Sequence, residues 1–186
     1  ELLATIDMLV EGVHFDLKYT SPEDLGWKAL AVSLSDVAAM AGRPLACFVS
    51  LGLKPGTTID LVDRFYAGLL RIASRFRCEL AGGDTVSSPH STVVDVCVLG
   101  RSPKKKAVLR SGAKPGDLVM VTGHLGDSAS GLSVLMTGSR EAEFRFRRLV
   151  DAHLLPMPRL AEAQVMARLG SVHAMMDISD GLANEM

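Results

Sequence analysis

The sequence predicts an α/β or α+β protein that is organised in two lobes. Apolar strand-like segments alternate with segments of helical periodicity along the 186 residues, which is the pattern of such folds. Hydrophobic residues make up 48% of the chain and aromatic residues only 5%, so the composition supports an aliphatic core and argues against disorder. A polar stretch at residues 101–106 interrupts the alternation. It predicts a division into residues 1–108 and residues 109–186.

Each element of the first lobe is predicted by its apolar pattern and by its ends. Ser21 followed by Pro22 is a strong helix start, because a hydroxyl N-cap precedes a residue suited to the first helical position. Leu61, Phe65 and Leu69 lie four residues apart, and this stripe is typical of a helix. The strands are short apolar or β-branched runs. The predicted elements are strands at 2–6, 46–53, 79–81 and 92–99, and helices at 22–40 and 59–76.

The second lobe continues the alternation of strands and helices. A turn at residues 114–117 precedes a predicted strand at 118–122. A second predicted strand at 173–176 runs directly into the aspartate-rich segment 177–181, which resembles the first turn of a helix. The predicted helices of this lobe lie at 127–136 and 159–169.

Aspartates recur at positions where a carboxylate is costly to bury. Asp7, Asp84 and Asp177 follow predicted strands, Asp180 comes three residues later, and Asp36 lies within an apolar helical run. Several carboxylates at one place repel each other unless a divalent cation neutralises them. Oxygen ligands without a His or Cys cluster favour Mg²⁺ over zinc. Each aspartate also has a structural alternative, as a turn, strand-end or helix N-terminal residue, so the residues alone indicate only a candidate magnesium–phosphate site.

Other segments suggest phosphate binding more weakly. Gly82 and Gly83 let a ligand approach the backbone closely, and residues 123–128 form a glycine loop at a helix start that suits an anion. The guanidinium of Arg110 can donate two parallel hydrogen bonds to a phosphate. His14 is a lone histidine after a predicted strand. Turn, surface and structural roles remain open for all of them. The sequence has neither a Walker A loop nor a GxGxxG fingerprint.

Charge, hydropathy and cysteine usage indicate which partners and which cellular compartment to expect for the protein. The net charge is −1 and no apolar run reaches the length of a membrane span, so nothing indicates a nucleic-acid or membrane partner. Cys47, Cys78 and Cys97 are far apart in apolar surroundings, which predicts buried thiols and a cytoplasmic protein. The first residue, Glu1, falls directly in a strand-like run, and Met186 ends the sequence in a helix start. We therefore expect a piece of a longer chain.

Five short segments occur in a fixed order: TIDMLVEGVHF at 5–15, KALAVSLSDVAAM at 28–40, AGGDT at 81–85, RSGAKPGD at 110–117 and MDISDGL at 176–182. Together they resemble the thiamine-monophosphate kinase family, which belongs to the superfamily of aminoimidazole ribonucleotide synthetase and selenophosphate synthetase. The resemblance covers essentially the whole chain. It implies a two-lobed synthetase-like fold, in which the N-terminal α/β lobe contributes to a dimeric β-barrel and the C-terminal α/β lobe is incomplete.

The resemblance also implies an activity and the residues that carry it. The expected reaction uses ATP and several Mg²⁺ ions to convert thiamine monophosphate to thiamine diphosphate, in a homodimer. Expected metal ligands are Thr5, Asp7, Asp36, Asp84, Asp177 and Asp180. Expected ATP contacts are Tyr66, Gly83, Asp84, Arg110 and Ser179. His14 is expected at the thiamine phosphate, and Asp36, Asp180 and Arg110 are the expected catalytic residues.

The sequence departs from the family pattern at several places. The Gly-Asp-Asp motif expected before the first strand, the downstream Gly-Gly-Glu-Asp-Tyr motif and a C-terminal aromatic residue do not occur, and Ile6 stands where a hydroxyl is common. Two alternatives therefore stay open. One is a synthetase of the same superfamily with another acceptor, including a hydrogenase-maturation relative. The other is a non-catalytic Mg-nucleotide-binding or dimerisation module.

Overall fold

A four-stranded mixed sheet with helices on one face is the framework of the first part of the chain. The structure is a computed structural model that describes residues 1–102 and 107–186. The sheet order is β1-β4-β2-β3, and only β2 and β3 run parallel. The elements of this part are β1 (Leu2–Val10), α1 (Pro22–Ala39), β2 (Arg43–Leu53), α2 (Ile59–Phe76), β3 (Glu79–Ser87) and β4 (Val93–Arg101).

The two faces of the sheet differ in burial. Val94, Val96 and Val98 of β4 point to one face and are buried against the helices, in the alternation of a half-covered strand. Helix α1 lies on this inner face, where Leu30 and Leu34 are fully buried. The opposite face, called the outer face below, carries no helix among the described residues and leaves apolar side chains of β1 and β2 exposed.

Glycines allow α1 and α2 to pack at very short range. A Cβ atom at Gly68 of α2 would lie 1.8 Å from the carbonyl oxygen of Glu23, and one at Gly26 of α1 would lie 1.9 Å from that of Phe65. The Arg64 guanidinium also donates to the Glu23 carboxylate at 2.7 and 2.9 Å. The two backbones are therefore in direct contact, and the crossing leaves no room for a side chain at either glycine.

The second part of the chain is a set of short helices that pack on α1 and on each other. They are α3 (Asp127–Met136), α4 (Arg140–Arg145), α5 (Arg147–Leu154), α6 (Leu160–Arg168) and α7 (Leu182–Glu185), after a 3₁₀ turn at Arg110–Gly112. Leu160 and Ala163 of α6 belong to the main core. The Trp27 indole N–H donates to the Pro156 carbonyl at 2.9 Å, which ties this part to α1.

Most predicted elements are confirmed. Helices α2 and α3 have the predicted bounds, α1 ends one residue earlier than predicted, and α6 is shorter than predicted by one residue at each end. None of the helices in the described parts of the chain combines the length and apolar character that a membrane crossing requires. The division at residues 108 and 109 stays a prediction.

The predicted strands at 118–122 and 173–176 are wrong. Both segments lie outside any helix or strand, and neither pairs with a strand anywhere in residues 1–102 and 107–186. Leu118 is 90% exposed and Met120 is 83% exposed, so the apolar run at 118–121 is not buried. The glycine pair Gly82-Gly83 was expected after a short strand at 79–81, yet it lies inside the longer strand β3. Local pattern does not reveal whether a strand finds a partner.

We expect the substitution Gly68→Ala to destabilise the protein by about 1–3 kcal/mol, because overpacking at the α1–α2 contact exceeds the gain in helix propensity. Urea unfolding followed by the fluorescence of Trp27 measures the change. Ser74→Ala, on the exposed side of the same helix, is the control and should not destabilise. A Gly68→Ala midpoint equal to that of the natural protein would contradict the packing argument.

Candidate functional site

Carboxylates of β1 and α1 meet where the strand crosses the helix. Thr5 and Asp7 lie two residues apart on β1 and point to the inner face, as the strand period requires. Ser33 and Asp36 lie three residues apart on one side of α1. The Thr5 hydroxyl donates to the Asp36 carboxylate, and the Ser33 hydroxyl donates to Oδ2 of Asp7 at 2.8 Å. The two carboxylates are thus held side by side.

A third carboxylate, Asp177, joins them from the segment before α7. Burial raises the pKa of Asp177 to about 6, and the charges of Asp36, Glu185 and Asp7 add to this increase. The pKa of Asp7 is also raised, first by burial and then by the charges of Asp36 and Asp95, although the Ser33 hydrogen bond opposes the shift. We call Asp7, Asp36 and Asp177 the acidic cluster. Its members repel one another, which favours a bound cation.

The structure does not bring Asp84 into contact with the acidic cluster. Asp84 pairs with Ser50 on β2, and Ser50 pairs with Asp95 on β4, so these three side chains share the outer face. Asp7 is in register with Val96, whose side chain is buried on the inner face. The exposed Asp84 carboxylate accepts a hydrogen bond from the Thr85 amide at 2.8 Å. Its role as a metal ligand stays a prediction.

Asp180 and Ser179 lie in the exposed turn that leads into α7. The Ser179 hydroxyl and the Asp180 amide both donate to Oε1 of Glu185, at 3.2 and 3.3 Å. The Asn184 amide donates to the Asp180 carbonyl at 3.0 Å. These bonds hold the turn against the short helix, and none of them involves Asp7 or Asp36. The catalytic and metal roles of Asp180 and the nucleotide role of Ser179 therefore stay predictions.

Three of the five expected nucleotide contacts, Tyr66, Gly83 and Asp84, lie at one recess beside β3, whereas Arg110 and Ser179 are not among its lining residues. Tyr66 of α2 and residues 80–85 line it, and the Tyr66 ring meets the edge of Phe65 at 5.3 Å between centroids. Burial raises the pKa of Tyr66, so its hydroxyl stays protonated at neutral pH. A Cβ at Gly83 would lie 1.8 Å from the Val49 carbonyl oxygen. The close approach of β2 therefore requires glycine at this position, independently of any ligand.

His14 and Arg110 occupy exposed positions on different segments. His14 lies in the loop between β1 and α1, where its Nδ1 accepts a hydrogen bond from the Val10 amide at 3.1 Å. A neutral His14 ring must then carry its proton on Nε2, so its free edge is a donor. Arg110 begins the 3₁₀ turn, and its side chain is exposed. Both residues stay predicted phosphate contacts.

The acidic cluster has the chemistry of a partial Mg²⁺ shell. In the parts of the chain that the structure describes, no three His, Cys, Asp or Glu side chains are arranged to hold a metal ion by themselves. Mg²⁺ typically takes one or two protein carboxylates and completes its shell with water and phosphate oxygens. The mutual repulsion of Asp7, Asp36 and Asp177 and the adjacent Thr5 hydroxyl fit such a cation.

Sequence reasoning missed Ser33, which holds Asp7 in place. It is fully buried, and its hydroxyl also lies 3.2 Å from the Val96 carbonyl oxygen. The available signal was its position three residues before Asp36, on the same side of a helix. A buried hydroxyl next to a functional carboxylate is a candidate for positioning it.

Comparisons with known proteins show which family the chain resembles over its length. The family model described as AIR synthase related protein, N-terminal domain, matches residues 1–102, and the corresponding C-terminal domain matches residues 114–186. The thiamine-monophosphate kinase of Bacillus subtilis is 42% identical over 99% of this chain and 57% of its own length. That of Aquifex aeolicus is 39% identical over 98% of this chain and 58% of its own length. The chain thus spans less than two thirds of these relatives.

Solved structures show the same similarity. The crystal structure of thiamine monophosphate kinase from Aquifex aeolicus superposes with a TM-score of 0.89 at 39% identity, covering 97% of this chain and 59% of the other. The structure of AaThiL complexed with AMPPCP and TMP gives a TM-score of 0.91 at 39% identity. It covers 99% of this chain and 59% of the other. The predicted synthetase-like α/β fold is therefore confirmed, and the chain belongs to the family of AIR synthase related proteins.

Proposed function

We propose that the chain is a thiamine-monophosphate kinase, which transfers the γ-phosphoryl group of ATP to thiamine monophosphate and releases thiamine diphosphate and ADP. The acidic cluster carries this proposal, because β1 and α1 hold Asp7 and Asp36 together on the inner face of an AIR synthase related fold, and Asp177 is near enough for their charges to raise its pKa. The relatives with this activity in their names, at 42% and 39% identity, support the choice of acceptor. So does the similarity to AaThiL complexed with AMPPCP and TMP.

The residues suit phosphoryl transfer, which depends on positioning and charge neutralisation more than on a strong base. The attacking group is a phosphate oxygen that is already anionic at neutral pH, so no side chain has to remove its proton. Asp7, Asp36 and Asp177, with Thr5, would hold Mg²⁺, which neutralises phosphate charge when bound. The hydrogen bond from Ser33 fixes the Asp7 carboxylate, which would preorganise the cluster for a cation.

Substrate contacts are proposed for residues outside the cluster. The Nε2–H edge of His14 would donate to the phosphate of thiamine monophosphate, because Nδ1 is engaged by the Val10 amide. Arg110 would stabilise charge on the transferred group as a fork donor. Tyr66 and Gly83 at the β3 recess, together with Ser179, would contact ATP.

Asp84 and Asp180 are proposed as further metal ligands. Both carboxylates are exposed and lie apart from the cluster, so this role requires a rearrangement or a contribution from another copy of the chain. Asp180 would move with the short turn at α7, which only a few side-chain bonds hold.

We propose that the protein is a cytoplasmic homodimer that pairs through the outer face of the sheet. Apolar side chains are exposed together on this face, namely Leu2, Ile6, Met8, Phe48 and Val86. Contiguous exposed apolar surface of this kind marks an interaction site. A second copy of the same sheet would complete the β-barrel expected from the family resemblance. The free cysteines, two of them buried, fit a reducing cytoplasm.

We expect purified protein to release ADP from Mg-ATP at least about tenfold faster when thiamine monophosphate is present. A coupled ADP assay measures the rate, with free thiamine as a control acceptor that lacks the phosphate. ATP binding without stimulation by any acceptor would replace the kinase proposal with that of a nucleotide-binding module.

We expect Asp36→Asn to weaken Mg-ATP binding by about tenfold or more, because a charged ligand to the cation is lost. Isothermal titration calorimetry measures the affinity. The melting temperature should stay level or rise, since the amide keeps the shape of the side chain and removes repulsion with Asp7 and Asp177. Asp63→Asn, at an exposed position of α2, is the control. Unchanged affinity in Asp36→Asn would remove Asp36 from the site.

We expect Ile6→Glu to convert the protein from a dimer to a monomer, because it places a charge in the paired outer faces. Sedimentation velocity should then report one 19.8 kDa chain instead of two. Ile59→Glu, at an apolar residue that is 81% exposed on α2 and away from the sheet, should leave the dimer intact. A monomeric natural protein, or a dimeric Ile6→Glu variant, would contradict the proposed interface.

A further inference from the structure

A chain of hydrogen bonds links the loop that carries His14 to the helices of the second part of the chain. The ammonium of Lys28, on α1, lies 3.1 Å from the carbonyl oxygen of His14. The same ammonium lies 3.4 Å from Nε2 of His153 on α5. On the far side of the imidazole ring, Nδ1 of His153 lies 3.1 Å from the hydroxyl of Ser128 on α3. Four segments thus meet through Lys28 and His153.

Chemistry fixes the direction of these bonds. An ammonium can only donate, so Nε2 of His153 accepts from Lys28 and its Nδ1–H points to Ser128. Burial and the charge of Lys28 lower the pKa of His153 to about 4, which keeps its ring neutral at physiological pH. Burial also lowers the pKa of Lys28. The donor and acceptor roles are therefore consistent along the whole chain of bonds.

The loop at residues 11–15 is held on its other sides by backbone bonds. The Gly12 amide donates to the Phe15 carbonyl at 2.7 Å, and the His14 amide donates to the Val10 carbonyl at 2.9 Å. The Phe15 side chain is 1% exposed and anchors the loop in the core. Lys28 adds the bond to the remaining polar group of the His14 backbone, its carbonyl oxygen. The direction of the His14 side chain depends on this peptide unit.

The other end of the chain of bonds is fixed by helix packing. A Cβ at Gly131 of α3 would lie 2.0 Å from the carbonyl oxygen of Leu149, so α3 and α5 are in backbone contact. Arg148 pairs with Asp127 at 2.8 Å beside Ser128. His153 therefore reaches Lys28 from a rigid pair of helices, not from a mobile loop.

We propose that Lys28 is a positioning residue for the acceptor. His153 holds the Lys28 ammonium, and the ammonium fixes the His14 carbonyl. The packing of α3 and α5 is thereby linked to the binding of thiamine monophosphate. This inference rests on the proposed function, because His14 is assigned to the acceptor there. Lys28 acts through His14 and makes no proposed contact with the substrate.

Hydrogen–deuterium exchange tests the link without any need for activity. In Lys28→Met and in His153→Leu, the amides of residues 11–15 should exchange about fivefold faster or more, while those of α2 stay unchanged. His153→Gln should restore slow exchange, because its side-chain oxygen can accept from Lys28. Lys18→Met, at an exposed lysine four residues after His14, is the matched control and should have no effect. Unchanged exchange of residues 11–15 in both disrupting variants overturns the proposal.

Steady-state kinetics then separates positioning from general stability. Lys28→Met and His153→Leu should each raise the KM for thiamine monophosphate about tenfold and leave the KM for ATP within about twofold. The double variant should resemble the single variants, because both remove one shared link. Equal effects on both substrates would overturn the proposal. If the natural protein does not phosphorylate thiamine monophosphate, the proposed function fails, and the exchange experiment still decides whether Lys28 controls the His14 loop.

Discussion

The packing of helix α1 between the sheet and α2 is the constraint on which the other features depend. Leu30 and Leu34 are buried on one side of α1. On another side, Gly26 allows the backbone of α2 to contact the backbone of α1 directly. Because the helix is fixed on both sides, its polar residues have defined places. Asp36 faces β1 beside Asp7, and Lys28 faces the loop after the same strand. A small rotation of α1 would disturb both groups together.

The acidic cluster shows how this packing brings like charges together at a cost in electrostatic free energy. Folding brings Asp7 and Asp177 near Asp36 in a half-buried place, where burial, and after it the charges of neighbouring carboxylates, raise the pKa of Asp7 and of Asp177. A hydrogen bond from Thr5 holds Asp36, and one from Ser33 holds Asp7. These bonds lower the free-energy cost of placing the carboxylates together. A divalent cation would remove the repulsion, so the structure without it is less favourable than the structure with it. The hydroxyls of Thr5 and Ser33 therefore hold the carboxylates in place in spite of their repulsion.

The sequence predicts the helices better than it predicts the strands and the site. The α2 stripe and the Ser21–Pro22 start depend on nearby residues, and both are confirmed. Strands depend on distant partners, which explains why 118–122 and 173–176 were wrongly predicted. For the site, the sequence patterns singled out Asp7, Asp36 and Asp177, although Asp7 lies inside β1 and not at its end, and the strand expected at 173–176 before Asp177 does not form. They did not show that Asp84 would fall on the outer face, because one residue of strand register decides the face.

The site lies at the junction of both parts of the chain, and this location has a physical consequence. The first part supplies Asp7 and Asp36, the second supplies Asp177, and the α3–α5 pair reaches the His14 loop through His153 and Lys28. A cation bound by the cluster would attract both parts and stabilise their contact. The chain of bonds through Lys28 acts on the same contact from the other end of α1. Both groups of residues therefore connect the two parts of the chain, and α1 carries a member of each, Asp36 in one and Lys28 in the other.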